Sequence, residues 1–171
     1  MKEILAFWHL QEALEEIGKE LVKVYKEKLM QPDANGWNRV ASTQLINTLR
    51  YLVIRDDREI WIELHLQDYW KYIEYGTKPH WPPYKDEEKG ILNWIKIKPV
   101  LPRPDKNGKL PTQQQLAFLI ARKISREGTP AYMNYNQTID ELNKWIDRKL
   151  DEALTQDLEE DIDFIFIRYF K

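Results

Sequence analysis

Glutamate and histidine are the residues of this sequence whose types and spacing come nearest to an acid–base site. One pair, Glu74 and His80, lies in the segment YIEYGTKPHWPPY at residues 72–84. A carboxylate and an imidazole within hydrogen-bonding reach can act as a general acid–base pair. These two residues lie on opposite sides of a tight turn, and no identifiable third residue orients either of them. We therefore do not expect them to be catalytic.

A second pair, Glu63 and His65, shares one face of a predicted strand, which is the arrangement of an ordinary solvent-facing polar row. The three histidines of the chain do not have the spacing that brings two metal ligands to one face. The absence of cysteine excludes disulfides, thiol catalysis and cysteine–zinc sites. The six glycines are scattered singly, so no phosphate-binding loop is present. We expect no enzymatic activity, no cofactor and no metal.

Length and composition predict a soluble globular protein with a single domain over residues 1–171. Charged residues make up 32% of the chain and hydrophobic residues 43%. A net charge of −2 gives no reason to expect attraction to nucleic acid or to an anionic membrane. The N-terminal residues do not resemble a signal peptide. Seven tryptophans either fill a core or cover an interface, and a protein of this size has limited core for all of them.

Hydrophobic periodicity predicts the elements of the first half of the chain. Apolar residues spaced by three and four predict a helix over 3–30, and Ser42 is placed to cap a short helix after it. The segment YLVIRDDREIWIELHL at 51–66 predicts a hairpin that turns at Asp56, Asp57 and Arg58.

Glycine and proline mark the element ends of the second half. A two-turn helix ends at Gly76. Residues 89–98 predict a short helix from the placement of Ile91, Leu92 and Ile95, although the run WIKIK also has the pattern of a strand. A long loop occupies 99–111. The next helix runs from Thr112 to Gly128, and a long helix begins near residue 137. The tail at about 162–169 is rich in β-forming residues and predicts a third strand against the hairpin. Helices and strands are segregated, so the predicted class is α+β.

Charge is unevenly distributed along the chain. Residues 140–163 contain ten acids and three bases, a local balance of −7, whereas residues 96–109 contain five bases and one acid, a balance of +4. Opposite patches on one small protein suit head-to-tail self-association, although either patch alone is also what ordinary solvated surface looks like.

The order of these features resembles the minor tail or tail-completion proteins at the head–tail junction, or neck, of long-tailed bacteriophages. Those proteins carry a Y…Y-x-E-x-G-T segment followed by histidine and prolines, and later a helix that ends in glycine and proline. The matching positions here are Tyr69, Tyr72, Glu74, Gly76, Thr77, His80 and Pro82, then Ala117, Ile120, Lys123, Ile124, Gly128 and Pro130. The resemblance covers roughly residues 10–160.

Two departures from the family pattern are visible. The segment that usually precedes the first strand appears only loosely, as QPDANGWNRVASTQLINTL, and the tail DIDFIFIRYF is not typical of the family. The resemblance implies a non-enzymatic virion protein, assembled in the bacterial cytoplasm, that forms a homo-oligomeric ring around the DNA channel. Its implied partners are its own copies, the head–tail connector and the tail tube or terminator proteins, with DNA only passing through. The alternative is a prophage-encoded interaction module or adaptor without a virion role.

Two groups of residues follow as candidates. Glycine and proline at helix ends give a stiff structural turn formed by Tyr72, Glu74, Gly76, Thr77, Pro79, His80, Pro82, Gly128 and Pro130. Rings and cations in the predicted loops give an interface formed by Trp81, Tyr84, Trp94, Lys96, Lys98, Lys106, Tyr132 and Tyr135. Some of these rings could instead pack under the long loop, and we expect at least one of Trp81 and Trp94 to be buried.

Overall fold

The structure, a computed structural model, describes residues 7–32, 44–56, 59–86, 88–98, 100, 102–104 and 106–169. The described elements are, in chain order, α1 (Trp8–Met30), α2 (Gln44–Thr48), β1 (Arg50–Arg55), β2 (Ile60–His65), α3 (Trp70–Tyr75), α4 (Ile91–Ile97), α5 (Gln113–Glu127) and α6 (Asn134–Tyr169). Helices lie before and after one small antiparallel sheet, and the predicted α+β class is confirmed.

Contacts along the chain divide it into two compact units. Unit 1 consists of Met1–Lys28, Thr48–Leu66 and Asn134–Lys171, and unit 2 consists of Leu29–Asn47 and Gln67–Met133. The single domain expected over residues 1–171 stays a prediction. Several predicted features lie outside the described residues, namely the cap at Ser42, the turn residues Asp57 and Arg58, and positions 99, 101 and 105 of the long loop.

The core of unit 1 forms where α1 and α6 present apolar residues at helical spacing. Its buried members are Ile17, Leu21, Val24 and Leu142, and partly buried side chains of α6 and β2 pack around them. Burying each such side chain contributes about 1.5–3 kcal/mol relative to exposure. This packing, rather than intrinsic helix propensity, holds the two long helices in place.

The predicted hairpin is present, although burial does not alternate along β2, whose six residues are all partly buried. Tyr51 pairs with Leu64 and Val53 with Ile62 in an antiparallel register. Ile62 packs against the core of unit 1, whereas Glu63 and His65 lie on the other face with 3.2 Å between their side chains. The prediction that Glu63 and His65 share one strand face is confirmed, and both side chains are partly open to solvent.

Glycine allows the hairpin to approach α1 closely. A Cβ atom at Gly18 would lie 2.3 Å from the ring of Tyr51. The Tyr51 hydroxyl donates a hydrogen bond of 2.8 Å to Glu15, one helical turn earlier. Desolvation by burial, followed by this contact, raises the pKa of Tyr51 above its ordinary value. The close approach therefore depends on a residue without a side chain at position 18.

The core of unit 2 forms between α4 and α5. Ile91, Leu92 and Ile95 of α4 pack against Ala117 and Ala121 of α5. The two alanines are almost completely buried, and their small size allows the helices to approach closely. Thr112 caps α5 with a full capping box, in which its hydroxyl accepts from the amide of Gln115 and its own amide donates to the Gln115 side chain.

The predicted third strand at about 162–169 is wrong, because these residues are helical. α6 continues without a break for 36 residues to Tyr169, about 54 Å at the helical rise. Extending an existing helix gains one backbone hydrogen bond per residue fixed, and no glycine or proline interrupts this stretch. The β preference of Ile and Phe depends on a neighbouring strand to pack against, so it did not decide the outcome here.

Candidate interaction site

Two glycines end α3 and α5 with the same unusual backbone conformation. Gly76 has φ 66° and ψ −166°, and Gly128 has φ 74° and ψ −159°. Both glycines have the positive φ expected at a helix end, but their ψ values place them in an extended region that only glycine readily populates. A Cβ atom would lie 2.2 Å from the Thr129 carbonyl oxygen at Gly76 and 2.0 Å from the Thr77 carbonyl oxygen at Gly128. Each position therefore excludes any side chain.

The residues that follow these glycines pair with each other. The amide of Thr77 donates to the carbonyl of Thr129, and the amide of Thr129 donates to the carbonyl of Thr77, both at 3.1 Å. The two hydroxyls lie 3.0 Å apart, and the Thr129 amide is also 3.2 Å from the Thr77 hydroxyl. The structure thus joins two Gly-Thr segments that are 52 residues apart. We call this arrangement the paired Gly-Thr turns.

The second segment also satisfies the end of α3. The amide of Tyr132 donates to the carbonyls of Ile73 and Glu74 at 3.3 and 3.1 Å, and the amide of Met133 donates to the Glu74 carbonyl at 3.0 Å. The last carbonyls of a helix have no partner within the helix, so these bonds stabilise the point where α3 stops. The turn residues predicted at Gly76, Thr77 and Gly128 therefore belong to one structural unit.

The structure gives Glu74 and His80 different environments. Glu74 is completely buried, whereas His80 is exposed with its Nδ1 2.9 Å from the carbonyl oxygen of Lys78. In the part of the chain that the structure describes, no group of three or more acidic or histidine side chains could hold a metal ion.

Prolines and an aspartate hold the segment between residues 82 and 90. Pro82 is buried, and the carbonyl of Pro83 accepts a 3.1 Å hydrogen bond from the first amide of α4. The Asp86 carboxylate accepts from the amides of Lys89 and Glu88. These backbone hydrogen bonds, that of Lys89 first, lower the pKa of Asp86. Hydrogen bonds therefore fix the backbone at both ends of the corner between the paired Gly-Thr turns and α4.

Three rings cluster on this corner. Trp81, Tyr84 and Phe118 contact one another edge-on, with ring centroids 5.7–6.0 Å apart. Tyr84 and Phe118 also line a groove of about 480 Å³, together with Lys85, Pro111, Gln114, Gln115 and Leu119. We call Trp81, Tyr84 and Phe118 the aromatic corner.

The expectation that at least one of Trp81 and Trp94 is buried is wrong. Trp81 is 54% exposed and Trp94 is 37% exposed. Ile91, Leu92 and Ile95 occupy the buried face of α4, and Trp94 precedes Ile95 by one position, which is about 100° around the helix. Trp94 instead lies beneath Lys98, whose ammonium is 5.6 Å from the ring centroid.

The remaining candidate interface residues lie in varied places. Lys96 and Lys106 are exposed, and Tyr132 is half-buried beside the end of α3. Tyr135 belongs to unit 1, where its ring meets that of the buried Tyr25 edge-on at 6.1 Å. The structure therefore brings Trp81 and Tyr84 together with Phe118, a residue that sequence patterning did not single out. Tyr135 does not belong to that cluster.

Within unit 1, two carboxylates of α6 hold the first turn of α1. The Asp157 carboxylate accepts hydrogen bonds from the amides of His9 at 3.0 Å and Leu10 at 2.9 Å. Glu160 lies 3.0 Å from Nε2 of His9. Negative charge near a helix N-terminus satisfies free amides and favours the helix dipole. These two acids therefore have a structural role that the charge count alone did not reveal.

The contact between His9 and Glu160 predicts a pH dependence of stability. The hydrogen bond to Glu160 is the largest cause that raises the pKa of His9. A group whose pKa is raised by folding stabilises the fold fully below its unfolded pKa, about 6.5 for histidine, and that contribution is lost as pH rises through the folded value. We expect Glu160→Gln to lower the pKa of His9, measured by NMR titration of its ring. We also expect the difference in free energy of unfolding between the wild-type chain and Glu160→Gln to become smaller above neutral pH.

The control for this titration is Glu159→Gln, which removes an exposed acid that does not contact His9. An equal change in the His9 titration in both variants would show that general charge, not the contact with Glu160, shifts the pKa.

Comparison of the chain with models of protein families, with curated proteins and with solved structures finds no match in any of the three. Among the helices that the structure describes, none has the length and apolar character needed to cross a membrane.

Proposed function

We propose that this chain is a non-enzymatic structural protein of a phage virion. In this role it is a subunit of an oligomeric ring at the neck or tail, completes or joins the tail to the head, and surrounds the DNA channel. The observation that carries the proposal is the pairing of Thr77 with Thr129. The two most distinctive segments of the family resemblance, which are far apart in sequence, are hydrogen-bonded to each other in the paired Gly-Thr turns, and this supports treating them as parts of one motif.

The aromatic corner supports an assembly role for that turn. The braced backbone on both sides of Trp81 limits the ordering entropy that its binding to a partner would cost. Tryptophan and tyrosine anchor protein interfaces through large contact areas with few rotatable bonds. The proposed partners are further copies of this chain, the head–tail connector and the tail tube or terminator proteins.

Gene order and electron microscopy test the proposal. We expect the genes that flank this one to encode a portal, a capsid protein and a tail tube. Tails prepared from that same phage or prophage, mixed with the purified chain, should show added density at the tail end in negative stain. Flanking genes without virion proteins, or tails that remain unchanged, would overturn the proposal and favour the adaptor without a virion role.

Trp81→Ala should impair assembly more than stability. Its ring contacts Tyr84 and Phe118 only edge-on and remains more than half exposed to solvent, so we expect a stability loss of about 1 kcal/mol. An interface anchor of this type should weaken binding to tails by about tenfold. Co-sedimentation with tails measures binding, and thermal unfolding measures stability. The matched control is Trp8→Ala, an exposed tryptophan of unit 1. Equal losses of binding in both variants would contradict a specific role for Trp81.

A further inference from the structure

An exposed apolar row runs along the C-terminal half of α6. Leu154, Leu158, Ile162 and Phe166 are spaced by four residues and extend for about 18 Å. Leu158 is 50% exposed, Ile162 is 51% exposed and Phe166 is 58% exposed. Contiguous exposed apolar surface of this kind marks interaction sites on soluble proteins. We call these four residues the α6 row.

Acidic side chains border the α6 row on its exposed side. Asp151, Glu159 and Asp163 are each three residues before a member of the row, and all three are exposed. Residues three apart are neighbours on a helix surface, so the acids lie beside the apolar row. On the other side, Asp157 is already engaged with the first turn of α1. The α6 row and the acids beside it are therefore complementary to a partner surface that is apolar and basic.

The chain carries such a surface on α5. Phe118, Arg122 and Arg126 are spaced by four residues, Leu119 and Lys123 form the neighbouring row, and all five side chains are exposed. Among the exposed charged residues of α5, three are basic and one, Glu127, is acidic. Phe118 belongs to the aromatic corner, so this face continues into the candidate interaction site.

We propose that the α6 row of one copy docks on the α5 face of a second copy, with Glu159 and Asp163 opposite Arg122 and Arg126. Such a contact uses two different surfaces of the same chain, and contacts of that kind close into rings or extend as filaments. The inference names the interface of the proposed ring and in that sense rests on the proposed function.

Charge excludes the two simplest alternatives for the α6 row. Two α6 rows facing each other would place the acids of one copy near those of the other, and like charges facing each other at an interface oppose binding. An anionic membrane surface would repel the same acids. A basic partner avoids both penalties, and α5 provides one within the same molecule.

A charge-swap experiment tests this interface. One variant carries Glu159→Arg and Asp163→Arg, and the other carries Arg122→Glu and Arg126→Glu. Sedimentation velocity over a concentration series measures self-association, and circular dichroism confirms that each variant keeps its helices. We expect the wild-type chain to self-associate, more weakly at high salt, and each variant to associate at least tenfold more weakly. An equimolar mixture of the two variants should associate again, because the opposite charges are restored.

The competing interface, the basic 96–109 segment, is tested with Lys96→Glu and Lys106→Glu, which change the charge of unit 2 by the same amount as Arg122→Glu and Arg126→Glu do. Loss of association in this variant, with Arg122→Glu and Arg126→Glu unaffected, would overturn the proposal in favour of the 96–109 segment. Stronger association of the Glu159→Arg and Asp163→Arg variant would show that α6 pairs with itself. A wild-type chain that stays monomeric at all concentrations would also overturn it. Binding of that monomer to tails would still support the proposed function, so the two failures are distinguishable.

Discussion

Replacing Gly76 with valine should unfold the paired Gly-Thr turns and cost about 4 kcal/mol or more, near the upper limit for a single substitution. A β-branched residue does not tolerate φ 66° with ψ −166°, and its Cβ would overlap the Thr129 carbonyl oxygen. Relieving the overlap requires the two chain segments to separate. Urea unfolding measures the loss, and hydrogen exchange at the amides of Thr77 and Thr129 should accelerate most, because these amides form the pairing hydrogen bonds.

Gly108 provides the matched control for this substitution. It also has a positive φ, 76°, but no atom lies within 4 Å of the position of an added Cβ. Gly108→Val therefore imposes backbone strain alone, about 1–3 kcal/mol. Similar losses in Gly76→Val and Gly108→Val would show that the contact with Thr129 contributes nothing. Gly128→Val should resemble Gly76→Val, and the double variant should lose less than the sum, because both disrupt the same pairing.

The ends of α3 and α5 were predictable, whereas their pairing was not. Glycine followed by a proline within three residues marks a helix end in any context, and both Gly76 and Gly128 have this pattern. The hydrogen bonds between Thr77 and Thr129 connect positions 52 residues apart. Local periodicity carries no information about which two turns meet, because hydrophobic spacing reports on one helix or strand at a time.

The wrong predictions share one physical cause. Residues 162–169 have strand-forming side chains, and Trp81 and Trp94 have side chains that usually seek burial. Both expectations treated a residue type as deciding its own environment. In the structure an unbroken helix carries the first group. Aliphatic residues fill the buried face of α4 and leave Trp94 outside it, and Trp81 packs edge-on against Tyr84 and Phe118 at the surface. The surplus of aromatic and apolar surface is what makes the aromatic corner and the α6 row candidate interfaces.

The roles of Phe118 and Asp157 could not be predicted from the sequence. Phe118 sits among apolar residues of an amphipathic helix, and only the position of Trp81 reveals that it faces a ring cluster. Asp157 is one of ten acids in residues 140–163, and nothing in their spacing separates the one that caps α1 from those that remain in solvent. Identification of either residue requires knowing which distant segment lies opposite.

Asp157→Ala should destabilise unit 1 by about 2 kcal/mol, the combined worth of a helix cap and a charge near the helix N-terminus. The substitution leaves the amides of His9 and Leu10 without the acceptor that now lies 2.9–3.0 Å away. We expect a lower urea midpoint with an unchanged slope, since the cap does not alter the surface exposed on unfolding. Hydrogen exchange should accelerate most in the first turn of α1.

Two further substitutions separate the cap from general charge. Asp157→Asn keeps one acceptor oxygen and removes the charge, so we expect it to lose about half as much stability as the alanine variant. Asp163→Ala removes an exposed acid from the same helix and should change stability by no more than about 0.5 kcal/mol. If Asp157→Ala and Asp163→Ala lost the same amount of stability, the Asp157 carboxylate would contribute no more than a solvent-exposed acid of α6. A graded loss from alanine to asparagine would instead show that α6 fixes where α1 begins.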